Sequence, residues 1–497
     1  MFKKILIANR GEIAARIIRA CQELNILTVA IASEADAGMP WVRLANERIV
    51  LEGTRSGDTY LNQAVILQAA ADSGADAIHP GYGFLSENAA FARACAEHGL
   101  TFIGPPPAAI ELMGSKAAAR ALAQRVGVPV VPGVDAAGVT DEKLAGHAAK
   151  MGYPVLVKAS AGGGGKGMRV VERPDSLADA LQAARSEALS SFGDDHILLE
   201  KYFPHIHHVE VQILADSQGE TLHLFERECS IQRRHQKIVE ETPSPTISPD
   251  LRQEITAAAL RLAEAADYVN AGTVEFIVDA NGGFYFLEMN TRLQVEHPIT
   301  ELVTGIDLVN WQIRIAAGQP LDFSQEQVGQ RGHAIECRVY VEDPAQGFMP
   351  ASGKISYYQQ ATGPGVRVDA GIGEGSEVSP FYDPMLAKVI TWGQDREEAR
   401  RKMALALQQT VILGVTTNIP YLLDILAHPS FVAGKTPTRF LETHFAGWQP
   451  EAALDDALLA AMTLQESRPE RHLVQELEDG LMVKDPWALV GSWRNVT

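Results

Sequence analysis

Cysteine is scarce and scattered: Cys21, Cys95, Cys229 and Cys337 include no Cys-x-x-Cys pair. That spacing builds neither a zinc ribbon nor a disulfide framework, and a reducing cytoplasm is the expected setting. Long apolar runs are missing too. After Lys3 and Lys4 the stretch 5–8 is cut by Asn9 and Arg10, too short for a signal sequence, and nothing approaches the roughly 18 apolar residues of a membrane span. Basic charge is in deficit, 43 Lys and Arg against 62 Asp and Glu for a net charge of -19. This argues against broad nucleic-acid or anionic-membrane binding, though a local basic pocket for an anionic substrate stays open. Repeats and low-complexity tracts are also lacking. What remains is a soluble chain of 497 residues, 46% hydrophobic and 21% charged, enough for about three domains at roughly 100–200 residues each.

The first hundred residues alternate apolar strands (5–8, 27–32, 75–79, 100–104) with helical spacing such as Ile13, Ile17, Cys21 and Leu24. That is an α/β pattern, a parallel sheet with helices on both faces. Its first turn, Ala8-Asn9-Arg10-Gly11-Glu12, has one glycine where a dinucleotide fingerprint needs three, which argues against NAD or FAD. Gly104-Pro105-Pro106-Pro107 closes this region and an Ala-rich helical stretch follows at 110–125. From 155 to about 289 the pattern becomes antiparallel, with few long helices. A third region, about 331–440, mixes strands (334–341, 388–391) with a helix near Arg396–Gln409.

Strand 155–160 carries Lys158 and runs into Gly162-Gly163-Gly164-Gly165-Lys166-Gly167, then into a second strand, 168–171. Consecutive glycines leave amide N–H groups free to curl around an anion. A bare glycine run is as readily a hairpin tip, but the two lysines favour phosphate. A P-loop is excluded, because glycine follows Lys166 and a strand comes next. His208, Glu210 and Gln212 alternate with Val209, Val211 and Ile213, which puts His208 on the polar face of a strand. The neighbouring His205 and His207 make a weaker metal set, having no cysteine partner. Gln232-Arg233-Arg234-His235-Gln236-Lys237 concentrates positive charge in an acidic chain.

The strands 273–277 and 284–288 are separated by Asn281-Gly282-Gly283, a hairpin signal. A two-residue turn at Asn281-Gly282 sets Glu275 opposite Glu288; a turn at Gly282-Gly283 pairs it with Asn290 instead. Either way oxygen ligands converge, and opposed carboxylates suit a hard cation such as Mg²⁺ bridging phosphates. A bulge would spoil the count. Beyond Glu288 the alternation continues, with Asn290, Arg292, Gln294 and Glu296 on one side. An arginine, an amide and a carboxylate beside a metal can hold a small oxyanion and take its proton. The chemistry alone points to an ATP-dependent ligase or kinase with a small anionic acceptor.

At these residues the sequence resembles the biotin carboxylases of the ATP-grasp superfamily. ILIANRGE at 5–12, HPGYGFLSEN at 79–88, the glycine loop, RRHQKIVEE at 233–241 and EMNTRLQVEHP at 288–298 follow the family's order over about 1–445. The resemblance implies an α/β architecture: a Rossmann-like amino-terminal domain (1–114), an ATP-grasp domain (115–325) with a mobile lid near 132–203, and a carboxy-terminal α+β domain (326–445). Residues 446–497 are then a tail or the start of a linker. It also implies the site. Lys116, Lys158, Gly164, Gly165, Glu200, Lys201, Tyr202, Phe203, His208, Gln232, His235 and Glu275 match nucleotide contacts, and Glu275, Glu288 and Asn290 match ligands of Mg²⁺ or Mn²⁺. Lys237, Arg292, Gln294 and Val295 match bicarbonate contacts with Glu296 as the base, while Arg338 matches the arginine that steadies the biotin enolate. From its surroundings alone Arg338 reads as a strand-edge ion-pair residue.

The implied reaction is carboxylation of biotin by ATP and bicarbonate through carboxyphosphate, the first half-reaction of an acyl-CoA carboxylase. The sequence has no Met-Lys-Met biotinylation site, so biotin is expected on a separate carboxyl carrier protein or domain, with carboxyltransferase subunits as further partners. Arg16, Arg19, Glu23 and Arg367 match homodimer contacts, although the first three also read as a solvated stripe. Three alternatives stand beside this reading. One is the amino-terminal part of a methylcrotonyl-, propionyl- or acetyl-CoA carboxylase α subunit; another is a different ATP-grasp carboxylate–amine ligase. The third is a regulatory subunit without catalysis.

Overall fold

The computed structural model describes residues 1–159, 168–192, 196–234 and 236–450; Gly164, Gly165, Lys166, His235 and the tail after 450 lie outside them. The amino-terminal alternation gives β1 (Lys4–Ile7), α1 (Gly11–Glu23), β2 (Leu27–Ser33), β3 (Glu47–Leu51), α2 (Gln63–Ser73), β4 (Ala77–His79), α3 (Ala89–Glu97) and β5 (Thr101–Phe102). The five strands form a parallel sheet in the order β3-β2-β1-β4-β5. β3 was not foreseen: its sequence, Glu-Arg-Ile-Val-Leu, opens on two charges and is mostly exposed, as an edge strand allows. The stretch 110–125 is not one helix. It divides into α4 (Pro107–Gly114) and α5 (Lys116–Arg125) at Ser115, whose hydroxyl caps the second by accepting from Ala118 N.

A four-stranded antiparallel sheet follows, built from β6 (Gly133–Asp135), β7 (Val155–Ala159), β8 (Met168–Val171) and β9 (Ile197–Lys201) in the order β6-β9-β7-β8. It packs α6 (Asp141–Met151) and the 16-residue α7 (Leu177–Phe192) around its own apolar cluster, including Leu144, Val157, Leu181 and Leu199. The unit thus has an apolar core of its own.

The central sheet is eight-stranded. β10 (Ile206–Ala215), β11 (Thr221–Arg233), β12 (Gln236–Thr242), β13 (Asn270–Asp279), β14 (Phe284–Asn290) and β15 (His333–Tyr340) join strands Met385–Gly393 and Val366–Ala370, in the order β14-β13-β10-β11-β12-β15 and then those two. Strand alternation decides what each face carries. On β10 and β13, Val209, Val211, Ile213, Val274, Phe276 and Val278 point into a core beneath α8 (Pro249–Ala265). His208, Glu210, Gln212, Thr273 and Glu275 are left on the opposite face. The long helices of this region are α7 and α8, in keeping with the few expected there.

α1 packs in one core with the carboxy-terminal strands and helix α11 (Arg396–Gln409), after α9 (His297–Thr304) and α10 (Leu308–Ala316) have been laid down. Gly371 lies against the first turn of α1 so closely that a Cβ would sit 2.4 Å from Gly11 C. Only glycine admits that approach. No helix among the described residues is long and apolar enough to cross a membrane.

Candidate active site

Four strands place a row of charge across the face of the central sheet opposite α8. Arg227 on β11 is opposite Glu210 on β10, Glu210 is opposite Glu275 on β13, and Glu275 is opposite Glu288 on β14. The Glu275–Glu288 pairing is the one a two-residue turn gives, but the structure reaches it differently. Asp279 N–H donates to Gly283 O and Val278 pairs with Phe284, a register one residue off. A bulge beyond Phe286, opposite the step from Glu275 to Phe276, restores the count. Two departures cancel.

Lys237, at the start of β12, reaches over this row. Its ammonium donates to Glu210 at 2.5 Å, Glu296 at 2.7 Å and Glu275 at 2.9 Å. Burial alone would lower its pKa, but three carboxylates hold the ammonium well above the usual lysine range. Burial likewise works against Glu275 and Glu296, yet Lys237 with His208 holds the first well below the ordinary carboxylate range, and Lys237 with Arg338 does so for the second. His208 Nε2 lies 2.8 Å from Glu275, and Gln232 Nε2 lies 2.6 Å from His208 Nδ1. His207 instead faces Glu228, so the histidine cluster does not converge.

Glu210 is also pushed up, by burial first, but pairs with Arg227 and Lys237; Glu288 differs in its partners. Its carboxyl is pushed up, by burial first and then by Glu275, and among the described residues no cation lies at ion-pair distance from it. A pair of facing carboxylates, one of them unneutralised, fits a hard divalent cation, with Asn290 Oδ1 beside them as a third oxygen. Asn290 at present donates to Glu275 at 2.8 Å and accepts from Arg292 at 3.0 Å. Glu288→Gln is therefore expected to raise the melting temperature of the metal-free protein, by about 1–3 °C, while removing the stabilisation that added Mg²⁺ gives the unsubstituted protein. Calorimetry with and without Mg²⁺ checks both signs, and a lower melting temperature without metal would contradict the reading.

The strand does not run on to Glu296. β14 ends at Asn290, and residues 291–296 form an irregular turn that leads into α9, so the alternation there is not strand alternation. Tertiary contacts, not pleating, bring these side chains together. Gln294 Nε2 donates to Glu275 at 2.7 Å, and Arg292 Nε donates to Glu87 at 3.0 Å. Glu296 accepts from Lys237 on one oxygen and from Arg338 on the other at 2.9 Å. Arg338 is no strand-edge residue: β15 is interior to the sheet, and the buried guanidinium bridges Glu296 and Glu240, at 2.6 Å from the latter.

The remaining expected nucleotide contacts lie elsewhere. Lys116 opens α5, and its charge is felt at Glu288. Lys158 pairs with Glu200 at 2.6 Å on the four-stranded sheet, while Lys201 Nζ turns inward to donate to Gly152 O at 2.8 Å. Tyr202 N–H donates to Pro154 O, and Phe203, just past β9, stacks on Tyr285 of β14 with ring centroids 4.9 Å apart. Arg16 is not on a solvated stripe: it is 7% exposed and pairs with Glu301 and Asp307, whereas Arg19 and Glu23 are exposed. Arg367 meets the same Glu301 at 2.7 Å. Arg227 and Glu240 were missed altogether. Arg227, wholly buried, donates to Glu210, Gln212, Thr300, Thr273 and Gln294 and so ties the row to α9.

Family models match the chain in three consecutive segments: the amino-terminal domain of biotin carboxylase at 1–110, the ATP-binding domain of the carbamoyl-phosphate synthase L chain at 115–324, and the carboxy-terminal domain of biotin carboxylase at 336–443. Biotin carboxylase of Halalkalibacterium halodurans is 52% identical over 89% of this chain and 98% of its own length. The mitochondrial methylcrotonoyl-CoA carboxylase subunit alpha of Dictyostelium discoideum is 47% identical over 99% of this chain and 70% of its own. Among solved structures, the biotin carboxylase domain dimer of Hydrogenobacter thermophilus 2-oxoglutarate carboxylase, in complex with MgADP, ADP and bicarbonate, superposes with a TM-score of 0.84. It is 47% identical and covers 90% of this chain and 99% of that one. With its carboxylate row, its bridging lysine and matches of this length, the chain belongs to the biotin carboxylases, ATP-dependent ligases built on the ATP-grasp fold.

Proposed function

We propose that the chain carboxylates biotin presented by a carrier protein or domain, with ATP and bicarbonate as co-substrates. One observation carries this reading: a single ammonium, Lys237, joins Glu275 on the metal side to Glu296 on the acceptor side. A terminal phosphate held near Glu275 and Glu288 therefore lies beside the carboxylate that would take a proton from the acceptor. Mg²⁺ or Mn²⁺, held by Glu275, Glu288 and Asn290, supplies charge neutralisation for the phosphates.

The chain's own residues do the rest. The nucleotide contacts are assigned to Lys116, Lys158, Glu200, Lys201, Tyr202, Phe203, His208, Gln232 and His235, with Gly164 and Gly165 assigned to its phosphates. Lys237, Arg292, Gln294 and the Val295 N–H orient bicarbonate, and Glu296 removes its proton as it attacks the γ-phosphate. Carboxyphosphate forms, ADP leaves, and the lid at about 132–203 keeps water from the labile product. Carboxyphosphate then yields CO₂ and phosphate, the phosphate takes the ureido proton, and Arg338 steadies the enolate that captures CO₂.

We assign the remaining context on the same footing: domains at 1–114, 115–325 and 326–445, a homodimer, and a carboxyltransferase that consumes carboxybiotin. Four buried free thiols suit a reducing compartment such as the cytoplasm. The test is ATP turnover measured with bicarbonate and free biotin added singly and together. Turnover that needs bicarbonate and is coupled to carboxybiotin is expected. Turnover indifferent to bicarbonate but driven by a carboxylate and an amine would replace this reading with that of another ATP-grasp ligase.

A further inference from the structure

The turn that delivers Val295 and Glu296 has no strand or helix of its own to fix it. A backbone bond from His297 N–H to Gln294 O at 3.3 Å holds it weakly, and two buried side chains outside the row grip it further. Lys388 Nζ donates to Val295 O at 2.9 Å and lies 3.2 Å from Glu12 on α1 and 3.7 Å from Asp369. Lys388 is directly opposite Arg338 and, on its other side, opposite Asp369. The register that aims Arg338 at Glu296 thus aims Lys388 at the peptide just before it. His297 Nδ1 lies 2.7 Å from Gln294 O, with the ring wholly buried. Burial first, then the charge of Lys388, holds that imidazole well below its ordinary pKa. The ring is neutral, and facing a carbonyl, which only accepts, it must carry its proton on Nδ1.

These are consecutive peptide planes. In a trans peptide the N–H points opposite to the C=O. Holding Gln294 O toward His297 turns the Val295 N–H the other way; holding Val295 O on Lys388 fixes the plane that leads into Glu296. We propose that Lys388 and His297 are positioning residues that lock these two peptides, so that the Val295 N–H and the Glu296 carboxylate meet the bicarbonate together. The proposal rests on the biotin carboxylase reading above.

The test compares His297→Leu with His297→Asn. Leucine keeps the bulk and loses the donor; asparagine is smaller, but its amide nitrogen can occupy the place of Nδ1. The expected result is a bicarbonate KM raised about tenfold or more in His297→Leu, an ATP KM within about twofold of the unsubstituted protein, and recovery toward the unsubstituted bicarbonate KM in His297→Asn. A packing role would give the reverse order, with leucine tolerated better, and would overturn the proposal. Lys388→Met leaves buried Glu12 without its cation, whereas Asp369 keeps Arg367 at 2.7 Å, so Glu12→Gln/Lys388→Met, which removes the Glu12 conflict, is measured beside it. An unchanged bicarbonate KM in the folded double variant would overturn the part assigned to Lys388. Loss of all bicarbonate-dependent turnover in the unsubstituted protein would overturn the functional reading itself, whereas equal bicarbonate KM values among the variants would overturn this inference alone.

Discussion

Glu296→Gln is expected to lower bicarbonate-dependent ATP turnover by about 10²–10⁴, the usual worth of a general base, and to leave nucleotide affinity nearly unchanged. The reason lies in what the carboxylate touches. Its two oxygens face Lys237 and Arg338, and neither cation depends on it alone: Lys237 keeps Glu210 and Glu275, and Arg338 keeps Glu240. The substitution therefore removes one charge from a network that remains paired, and the fold should persist. Those two cations hold Glu296 well below the ordinary carboxylate range, which makes it a poor base. In the proposed reaction an anionic acceptor drawn to Lys237 and Arg292 would compete for that stabilisation and add negative charge nearby, so the basicity of Glu296 would rise when there is a proton to take. Glutamine has the shape without that response. Steady-state turnover against bicarbonate concentration, with ATP affinity by calorimetry, measures both quantities. Near-normal turnover in the variant would show that another group is the base.

Much of the architecture was legible because it is written in short-range patterns. The amino-terminal strands other than β3 announce themselves as apolar runs, and the alternation of Val209, Val211 and Ile213 with His208, Glu210 and Gln212 separates core from site. The β13–β14 hairpin was legible in its outcome though not in its route, since a longer turn and a bulge compensate in a way no turn rule anticipates. What could not be read is the company each charge keeps across long sequence separations. Arg338 meets Glu240 across 98 residues, Lys388 meets the Val295 carbonyl across 93, and Arg16 meets Glu301 across 285. Strand order in the central sheet decides those meetings, and it follows from packing the whole domain rather than from any window of sequence. For the same reason Arg16 reads as solvated on its helix and is buried in the structure.

Arg338→Ala should separate the two halves of the reaction. Biotin carboxylation is expected to fall by about 10²–10³, the scale of losing one preorganised donor set at a developing oxyanion. Nucleotide binding is expected to be retained, because the nearest charge partners of Arg338 are Glu240 and Glu296 rather than the Glu275–Glu288 pair. ATP cleavage that persists without carboxybiotin is the signature. Stability has to be watched beside it. Glu240 is buried, its Oε2 has no hydrogen-bond partner, and its carboxyl is already pushed up to about 7, by burial first, with Arg338 pulling it back down. Taking away the guanidinium leaves that carboxylate without its cation, a change that costs about 3–5 kcal/mol in buried pairs unless the group takes up a proton. Glu240 can do so, and the variant should be more stable near pH 6 than near pH 8: with its folded-state pKa raised further, Glu240 binds a proton more tightly folded than unfolded, and that advantage is lost as pH rises. Glu240→Gln/Arg338→Ala removes the conflict and should lose the added pH dependence while keeping the uncoupled turnover. Arg338→Lys retains the charge, but an ammonium lacks the planar fork that spans Glu240 and Glu296, so only part of the carboxylation should return. Loss of ATP binding in the folded double variant would place Arg338 with the nucleotide and contradict its assignment to biotin.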